Sequence, residues 1–419
     1  MATTWLGRHQ ISYHWETQAI GTLREAIAEA EPLGDAPELA AALAELSRAY
    51  MLTEQHPLAV EVADRALAVA GSHGLLLPTV EALINRGSAL ANIRRRHEAE
   101  AVLRGAIALA DRHGLVYAAL RARNNLASTR FSDDVAEVTQ LYREAYELAT
   151  RYGHRPFLYQ FVYQLAEQAI RAGEWDTALA EIDEIEEAQP LYPFYAAAYL
   201  GIRMSLLAAR GRQDEAAAML ARYGELAAQL SSPMVDAFGH QSAADQALLR
   251  GEWDVAAQEG TIALDNANTL PDAAATLVHA AVGGNLPDAI AAASEKLGQW
   301  GEMEDLTDRW FLAAGRAGLA ARAGRWDEAR AGYRAALDGI RANGNLFQWA
   351  LTSLDWGALG GASVPEAADA LRDGMAFFAD RGAEALARRY VEAFVPREAA
   401  SGGRATANAR SQPVASGSE

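Results

Sequence analysis

With nine histidines and no cysteine, base chemistry near neutral pH and nitrogen ligation of metals would fall to imidazoles, and thiolate nucleophiles, thiolate metal sites and disulfides are excluded. The closest pair, His9 and His14, is spaced off one helix face, and no His-Glu-x-x-His occurs. His97-Glu98 is a fragment of that motif without its second histidine, which reads as structural. His73 and His113 precede Gly74 and Gly114 at one repeat position, with Tyr152 in the third copy. A pH-responsive ladder is one reading; a histidine that favours the helix C-terminal dipole explains each site separately. Asp133-Asp134 and Glu186-Glu187 suit helix caps or solvated faces better than acid–base work. No Gly-x-Ser-x-Gly elbow or Gly-x4-Gly-Lys-Ser/Thr loop exists. Arg94-Arg95-Arg96 lies in an inter-helix turn, where a phosphate or an acidic partner is one reading and three ordinarily solvated charges the plainer one. No catalytic residue, metal ligand or cofactor is assigned, and the chain is expected not to be an enzyme by itself.

The elements around these residues are helical. The chain has 419 residues, of which 51% are hydrophobic, and a single globular core of that length would normally split. A repeat array escapes the limit because each unit packs only on its neighbours. A formal charge of -18 repels phosphate backbones and anionic membranes, so direct nucleic-acid binding is not expected. No secretory signal or apolar run of about 18 residues is present, which predicts a soluble, cytoplasmic protein without membrane partners. Lys296 is the only lysine among 37 basic residues, a bias that points to a GC-rich, actinobacterial source.

Ala-rich segments recur at a nearly fixed interval: LREAIAEA, DRALAVA, RGAIALA and REAYELA place Ala26, Ala66, Ala106 and Ala145 in register. Gly34, Gly74, Gly114 and Gly153 follow at one offset as left-handed C-caps. A second landmark opens the same kind of helix: GEWDTA from Gly173, GRQDEA from Gly211, GEWDVA from Gly251 and GRWDEA from Gly324, with GNLPDA from Gly284 as a weaker fifth copy. Glycine allows the turn, the aromatic packs back, aspartate caps the next helix and alanine permits close approach. Trp175, Trp253 and Trp326 are therefore expected in the core, Trp253 between its own first helix and the neighbouring hairpin. The small packing position continues at Ile185, Tyr223, Ala263, Lys296, Ala336 and Gly374. About ten second helices result, most preceded by a first helix, and no segment alternates like a strand.

The step from Ala263 to Lys296 is short and Asn266 to Pro271 is loop-like, so a kink is expected near 265–290. Residues 1–395 are read as the array and 396–419 as a disordered polar tail. TWLGRHQISYHWETQ leaves barely room for a first helix before Ala26, which makes the start either a divergent cap or the edge of something longer.

The Gly-x-Trp-Asp-x-Ala turns, Asn125-Leu126-Ala127 and the Leu-Ala-x-x-x-Gly helix ends resemble tetratricopeptide repeats of the longer, roughly forty-residue type, over residues 12 to 390. Such arrays occur C-terminal to ATPase modules in actinobacterial class III adenylate or guanylate cyclases and in maltose-activator-like transcriptional regulators. The resemblance implies an all-α, right-handed α-solenoid of about ten hairpins that serves as a scaffold or sensor in bacterial signalling or transcriptional regulation. The phosphate loop and the helix-turn-helix of those relatives are missing from this chain. A regulatory part of a larger cyclase or ATPase-type regulator is the alternative.

In this repeat class the first helices line the concave face. The candidate contacts there for a protein or peptide partner, or for a small-molecule effector, are Asn85, Asn92, Arg121, Asn124, Tyr159, Gln160, Tyr163, Gln241, Trp310 and Trp349. Asn85 and Asn125 share a position where a bond to backbone would instead stabilise the hairpin. Tyr192, Phe194, Tyr195 and Tyr199 give more aromatic surface than one hairpin needs, with inter-repeat packing as the plainer account and a ligand pocket as the other.

Overall fold

A residue held in the left-handed region ends helix after helix. A computed structural model describes residues 2–394 apart from 13–14, 35, 131–133, 189–190, 231–232, 266–269 and 301–308. Gly173, Gly211, Gly251 and Gly324 have φ of 79°, 78°, 74° and 76°. In each case the next amide reaches back to close the helix end: Glu174 N–H to Ala169 O at 2.7 Å, and Arg212 to Leu207, Glu252 to Ala247 and Arg325 to Ala320, each at 2.9 Å. This bond satisfies an otherwise orphaned carbonyl and turns the chain sharply into the next helix. Gly74, Gly114 and Gly153 act in the same way.

In chain order α1 (Ala2–Ser12) pairs with α2 (Glu16–Leu33), and α3 (Ala36–Leu52) with α4 (His56–Ser72). Next come α5 (Leu76–Asn92) with α6 (Arg96–Arg112), and α7 (Val116–Thr129) with α8 (Val135–Tyr152). The array continues with α9 (Arg155–Ala172) and α10 (Trp175–Ala188), α11 (Pro193–Ala209) and α12 (Gln213–Leu230), then α13 (Pro233–Leu249) and α14 (Trp253–Ala263). Three more pairs follow: α15 (Leu270–Gly284) and α16 (Pro287–Trp300), α17 (Arg309–Arg322) and α18 (Trp326–Ala342), α19 (Leu346–Gly360) and α20 (Pro365–Ala379). A single α21 (Glu384–Glu392) follows them. The described residues thus form an α-solenoid of ten hairpins without strands, and none of their helices is long and apolar enough to cross a membrane. Ala66, Ala106, Ala145, Ala263 and Ala336 are fully buried on the even-numbered helices, where a missing side chain lets neighbours approach closely.

Several expectations need correction. The segment before Ala26 does hold a first helix, α1, which packs on α2 and α3. The aspartate of the Gly-x-Trp-Asp turn is not the cap: α10, α14 and α18 begin one residue earlier, at the tryptophan. Asp176 instead sits in the first turn, near the positive end of the dipole, and pairs with Arg210 at 2.6 Å. The weak fifth copy is offset by one, because Asn285 rather than Gly284 takes the left-handed position, with φ 56°. Lys296 is no packing residue; its ammonium reaches Asp265 at 2.6 Å on the surface. Trp175 is buried as expected, whereas Trp326 remains 40% exposed. The loop expected from Asn266 begins outside the described residues and gives way to α15 at Leu270. The tail from Pro396 also lies outside them.

The curvature brings the end of the array back onto its middle. α19 packs against both α9 and α15, and α21 packs against α13. Val135 N–H donates to Asn343 O at 2.9 Å, Arg381 Nε to Gly173 O at 2.7 Å and Arg210 Nε to Arg381 O at 3.1 Å. Trp175 stands edge-on to Phe347, Phe377 and Phe378 at centroid distances of 6.0, 6.3 and 6.2 Å. Trp253 lies against Gly283 and Gly284 of the neighbouring hairpin, as expected, and in addition its ring meets Tyr390 and Phe394, both at 5.1 Å, and its Nε1 donates to Ala393 O at 3.3 Å.

Two outcomes follow from this geometry. Arg94 takes the left-handed turn position with φ 73°, and its Nη2 is buried without a partner. Arg94→Gly should therefore stabilise the chain by about 0.5–1 kcal/mol in urea unfolding, since a non-glycine residue costs roughly 1–2 kcal/mol there and glycine returns part of that as chain entropy. Trp253→Ala should cost about 3 kcal/mol and release α21. Hydrogen exchange should then accelerate over 384–392 while α2 to α7 keep wild-type protection. Uniform acceleration along the array would contradict the clasp.

Candidate functional site

The ten residues expected on the concave face all lie on odd-numbered helices, but most are spent joining one repeat to the next. Asn85 is buried, donates to Ala44 O at 2.8 Å and accepts from Arg121 Nη2 at 2.8 Å, while Arg121 also pairs with Glu81. Asn124 accepts from Gln160 Nε2 at 2.9 Å, and Asn125 donates to Ser88 Oγ at 2.6 Å rather than to backbone. Tyr159 is buried; its carbonyl takes the Tyr199 hydroxyl at 2.7 Å, and its ring meets Tyr192 and Tyr195. The aromatic stretch from Tyr192 therefore packs between repeats. Trp310 and Trp349 are half-buried under Arg309 and Arg341, at 4.5 and 5.1 Å from their centroids. Asn92 is exposed, its side chain donating to Ser88 O at 3.0 Å. First helices pack side by side along the inner face, so polar residues at that seam meet a neighbouring repeat before they meet a ligand.

Tyr163 and Gln241 are different, because both line a cavity of about 180 Å³ bounded by α9, α11, α13, α15 and α19. The closure described above creates it: α19 covers what would otherwise be an open groove. Trp175, Tyr223, Phe238 and Phe347 contribute aromatic walls, and Ile170, Ile202, Leu206, Leu248 and Leu351 aliphatic ones. Three carboxyls enter from three helices, Glu167 from α9, Asp245 from α13 and Asp272 from α15, alongside Arg171. Among the described residues no three acids or histidines converge tightly enough to hold a metal ion.

Burial governs the electrostatics of this site. Loss of water, with Asp272 nearby, pushes Glu167 up to about 8 against the opposing pull of the Tyr163 hydrogen bond and of Arg171. The Tyr163 hydroxyl donates to Glu167 Oε1 at 2.5 Å, and burial carries the phenol itself well above its ordinary range. Asp245 is pushed up to about 7 by burial and by Asp272, although Thr276 Oγ1 donates to it at 2.7 Å and Gln241 Nε2 at 2.8 Å. Asp272 is raised by burial, with Arg171 opposing. Two buried polar atoms on the walls have no hydrogen-bond partner, Gln241 Oε1 and Trp175 Nε1.

Behind the cavity lies a buried ionic relay. Gln348, on the cavity wall, accepts from His279 Nε2 at 2.8 Å, and His279 Nδ1 meets Asp355 Oδ2 at 2.6 Å. The Tyr390 hydroxyl donates to Asp355 Oδ1 at 2.6 Å. Burial alone would lower the His279 pKa, but Asp355 and Gln348 hold it above the usual histidine value. Both ring nitrogens face acceptors, so the imidazolium form fits and no nitrogen is left to take a proton from a substrate. The relay ties α15, α19 and α21 together and carries no catalytic geometry.

Glu167, Arg171, Asp245, Asp272, His279 and Asp355 were not singled out from the sequence, although a signal was present. His279 interrupts Leu277-Val278 and Ala280-Ala281, and Asp355 stands between Leu354 and Trp356. An ionisable residue within an apolar helical run is buried only if paired. The partners, 76 residues apart, were beyond the reach of a repeat frame.

No protein-family model matches the chain, and no curated protein does. Among solved structures, the crystal structure of yeast Tom70 aligns over 95% of this chain and 96% of its own, at 12% identity and a TM-score of 0.32. A circular tandem repeat protein with novel repeat topology and enhanced subunit contact surfaces aligns over 94% and 93%, at 16% identity and a TM-score of 0.16. Likeness at that level carries no argument about function.

The raised carboxyls make a signed prediction. The unfolded chain ionises near pH 4, well before the folded one, so stability falls as pH rises from there through about 7 to 8. His279 acts in the same direction: its contribution is present below the ordinary histidine value and lost as pH rises through its raised one. Melting followed by circular dichroism should give a lower Tm at about pH 8.5 than at about pH 5.5. Glu167→Gln should shrink the difference by raising the alkaline Tm, because the amide keeps an acceptor for Tyr163 without a charge to bury. An unchanged pH dependence would contradict the assignment.

Proposed function

We propose that the chain is a non-catalytic helical-repeat receptor of bacterial signalling or transcriptional regulation. In this reading it holds a small ligand in the closed C-terminal turn and offers its N-terminal concave groove to a protein or peptide partner. The observation that carries the reading is the cavity of about 180 Å³ with aromatic walls, converging polar groups and an unpartnered amide oxygen. Concave apolar sites with a few convergent polar groups are where small ligands bind. The relay from Gln348 through His279 and Asp355 to Tyr390 supports a sensing role, because it couples the cavity wall to α21.

The N-terminal groove has another character. It measures about 430 Å³ and is lined by Arg8, Glu45, Arg48, Leu77, Glu81 and Tyr117 among others, a mixture of both charge signs beside apolar surface. Such a surface suits an extended peptide better than a nucleic acid, whose phosphates the glutamates and the net charge would repel.

The test uses the dialysable small-molecule fraction of the host lysate with the full chain. It should raise the Tm of the wild type but not of Gly201→Leu, in which a side chain on α11 fills the cavity. Gly201 lines the space, and a β-carbon there meets only Ser242 Oγ, at 3.6 Å, so the backbone tolerates the change. A ligand at about a hundred times its Kd stabilises by about 2.7 kcal/mol. Equal shifts in both proteins, or none in either, would contradict the reading.

A further inference from the structure

We propose that the cavity takes a small organic dication, a short alkyl diamine with two ammonium groups; this rests on the cavity being a ligand site. Glu167, Asp245 and Asp272 face the space against one guanidinium, Arg171, so with all three carboxyls ionised the walls carry two uncompensated negative charges. His279 adds none, because Asp355 balances it at 2.6 Å. A buried charge without a partner is costly, and a ligand with two positive charges removes the cost where a neutral or anionic one would not.

The remaining walls fit the same chemistry. Gln241 is 9% exposed and turns its Nε2 to Asp245 and Thr276, which leaves Oε1 as an unused acceptor for an ammonium N–H. Tyr163 and Phe238, with ring centroids 6.1 Å apart, offer aromatic faces to a cation. The aliphatic walls suit the methylenes between two ammonium groups. The carboxyls come from three helices and do not converge on a point, which disfavours a metal ion and favours an elongated cation. A cavity of about 150 Å³ holds a guest of benzene size, and this one, at 180 Å³, is comparable.

Binding should also release protons. The groups facing the carboxyls are Tyr163 and Arg171 from α9, Tyr223 from α12, and His279 from α15 with Asp355 of α19 behind it; α11 contributes no titratable side chain to the walls. Without ligand, Glu167 and Asp245 are held protonated up to about 8 and about 7. An incoming ammonium favours their ionised forms, so each proton lost appears in the medium and affinity rises with pH. An alkyl diamine keeps both charges over that range, as a lysine side chain keeps its own.

The experiment is isothermal titration of the full chain with 1,4-diaminobutane at about pH 6, in phosphate and in MES, and again at about pH 8.5. The expected result is binding at least about tenfold tighter at the higher pH, with a buffer-dependent enthalpy near pH 6 that reports proton release. Butylamine should bind more weakly, 1,4-butanediol and succinate not at all. Glu167→Gln with Asp272→Asn should weaken the diamine at least about tenfold while leaving the fold intact, since both changes remove buried acids; circular dichroism checks this. Butanediol or succinate binding as well as the diamine, and being blocked by Gly201→Leu, overturns the cation and leaves the cavity reading standing. Should Gly201→Leu fail to fold, Ser205→Leu, on the same α11 wall of the cavity, serves as the blocked variant. Diamine binding that survives the blocked variant overturns both. Absence of any diamine binding at pH 8.5 overturns the cation.

Discussion

A residue at positive φ, with the next amide bonded back across the helix end, sets the angle of hairpin after hairpin, and the shape of the molecule accumulates from that angle. Because each unit repeats nearly the same turn, the odd-numbered helices lie side by side on the inner face and the array curves. The curvature between α9 and α19 returns the chain onto itself. Contacts such as Arg381 with Gly173 and Asn343 with Val135 are consequences of repeated local geometry rather than independent features. Gly173 shows the dependence most directly. It needs a left-handed backbone for its turn, and a β-carbon there would lie 2.8 Å from both Arg381 and Phe377.

Closure changes what the inner face can do. In the N-terminal half the seam between first helices is polar and its groups bond across repeats: Arg8 to Glu45 at 2.5 Å, Arg121 to Asn85, Gln160 to Asn124. In the C-terminal half α19 to α21 cover that seam, and groups that water would have solvated must find partners or shift their protonation. Asp355 found two, His279 and Tyr390. Glu167 and Asp245 found donors, Tyr163 for the one and Thr276 with Gln241 for the other, while Asp272 has Arg171 nearby, and burial raises all three.

The turns were legible in the sequence because their chemistry is local. Glycine-marked turns and a recurring packing position, alanine in six copies, placed the second helices even where the spacing shortened before Lys296, and Trp175 was read as core from its repeat position. Trp253 and Trp326 share that position but not its burial, since the surroundings are set by α21 and by the exposed end of α18, which no repeat records. Tyr163 and Gln241 were chosen as concave-face residues and do line the cavity, yet Asn85 and Tyr159, chosen by the same rule, are buried between repeats. The rule picks residues on odd-numbered helices; it does not separate the seam between repeats from the space enclosed when distant repeats meet. The aspartate caps failed for a smaller reason: Glu252 and Arg325 are the N-cap residues of α14 and α18, so each aspartate falls inside the first turn.

The same closure makes the cavity and the end of the array energetically inseparable. Gln348 touches both the cavity and His279, and His279 reaches α21 through Asp355 and Tyr390, whose ring supports Trp253. A buried ion pair of this kind depends on every partner, because removing one leaves a charge stranded in a low-dielectric interior. A positive charge in the cavity would be felt by Asp245, and Asp245 in turn acts on His279. Charge in the cavity therefore changes the free energy that holds α19 and α21 in place, and a partner that binds those helices must, by linkage, alter the affinity of the cavity by the same factor.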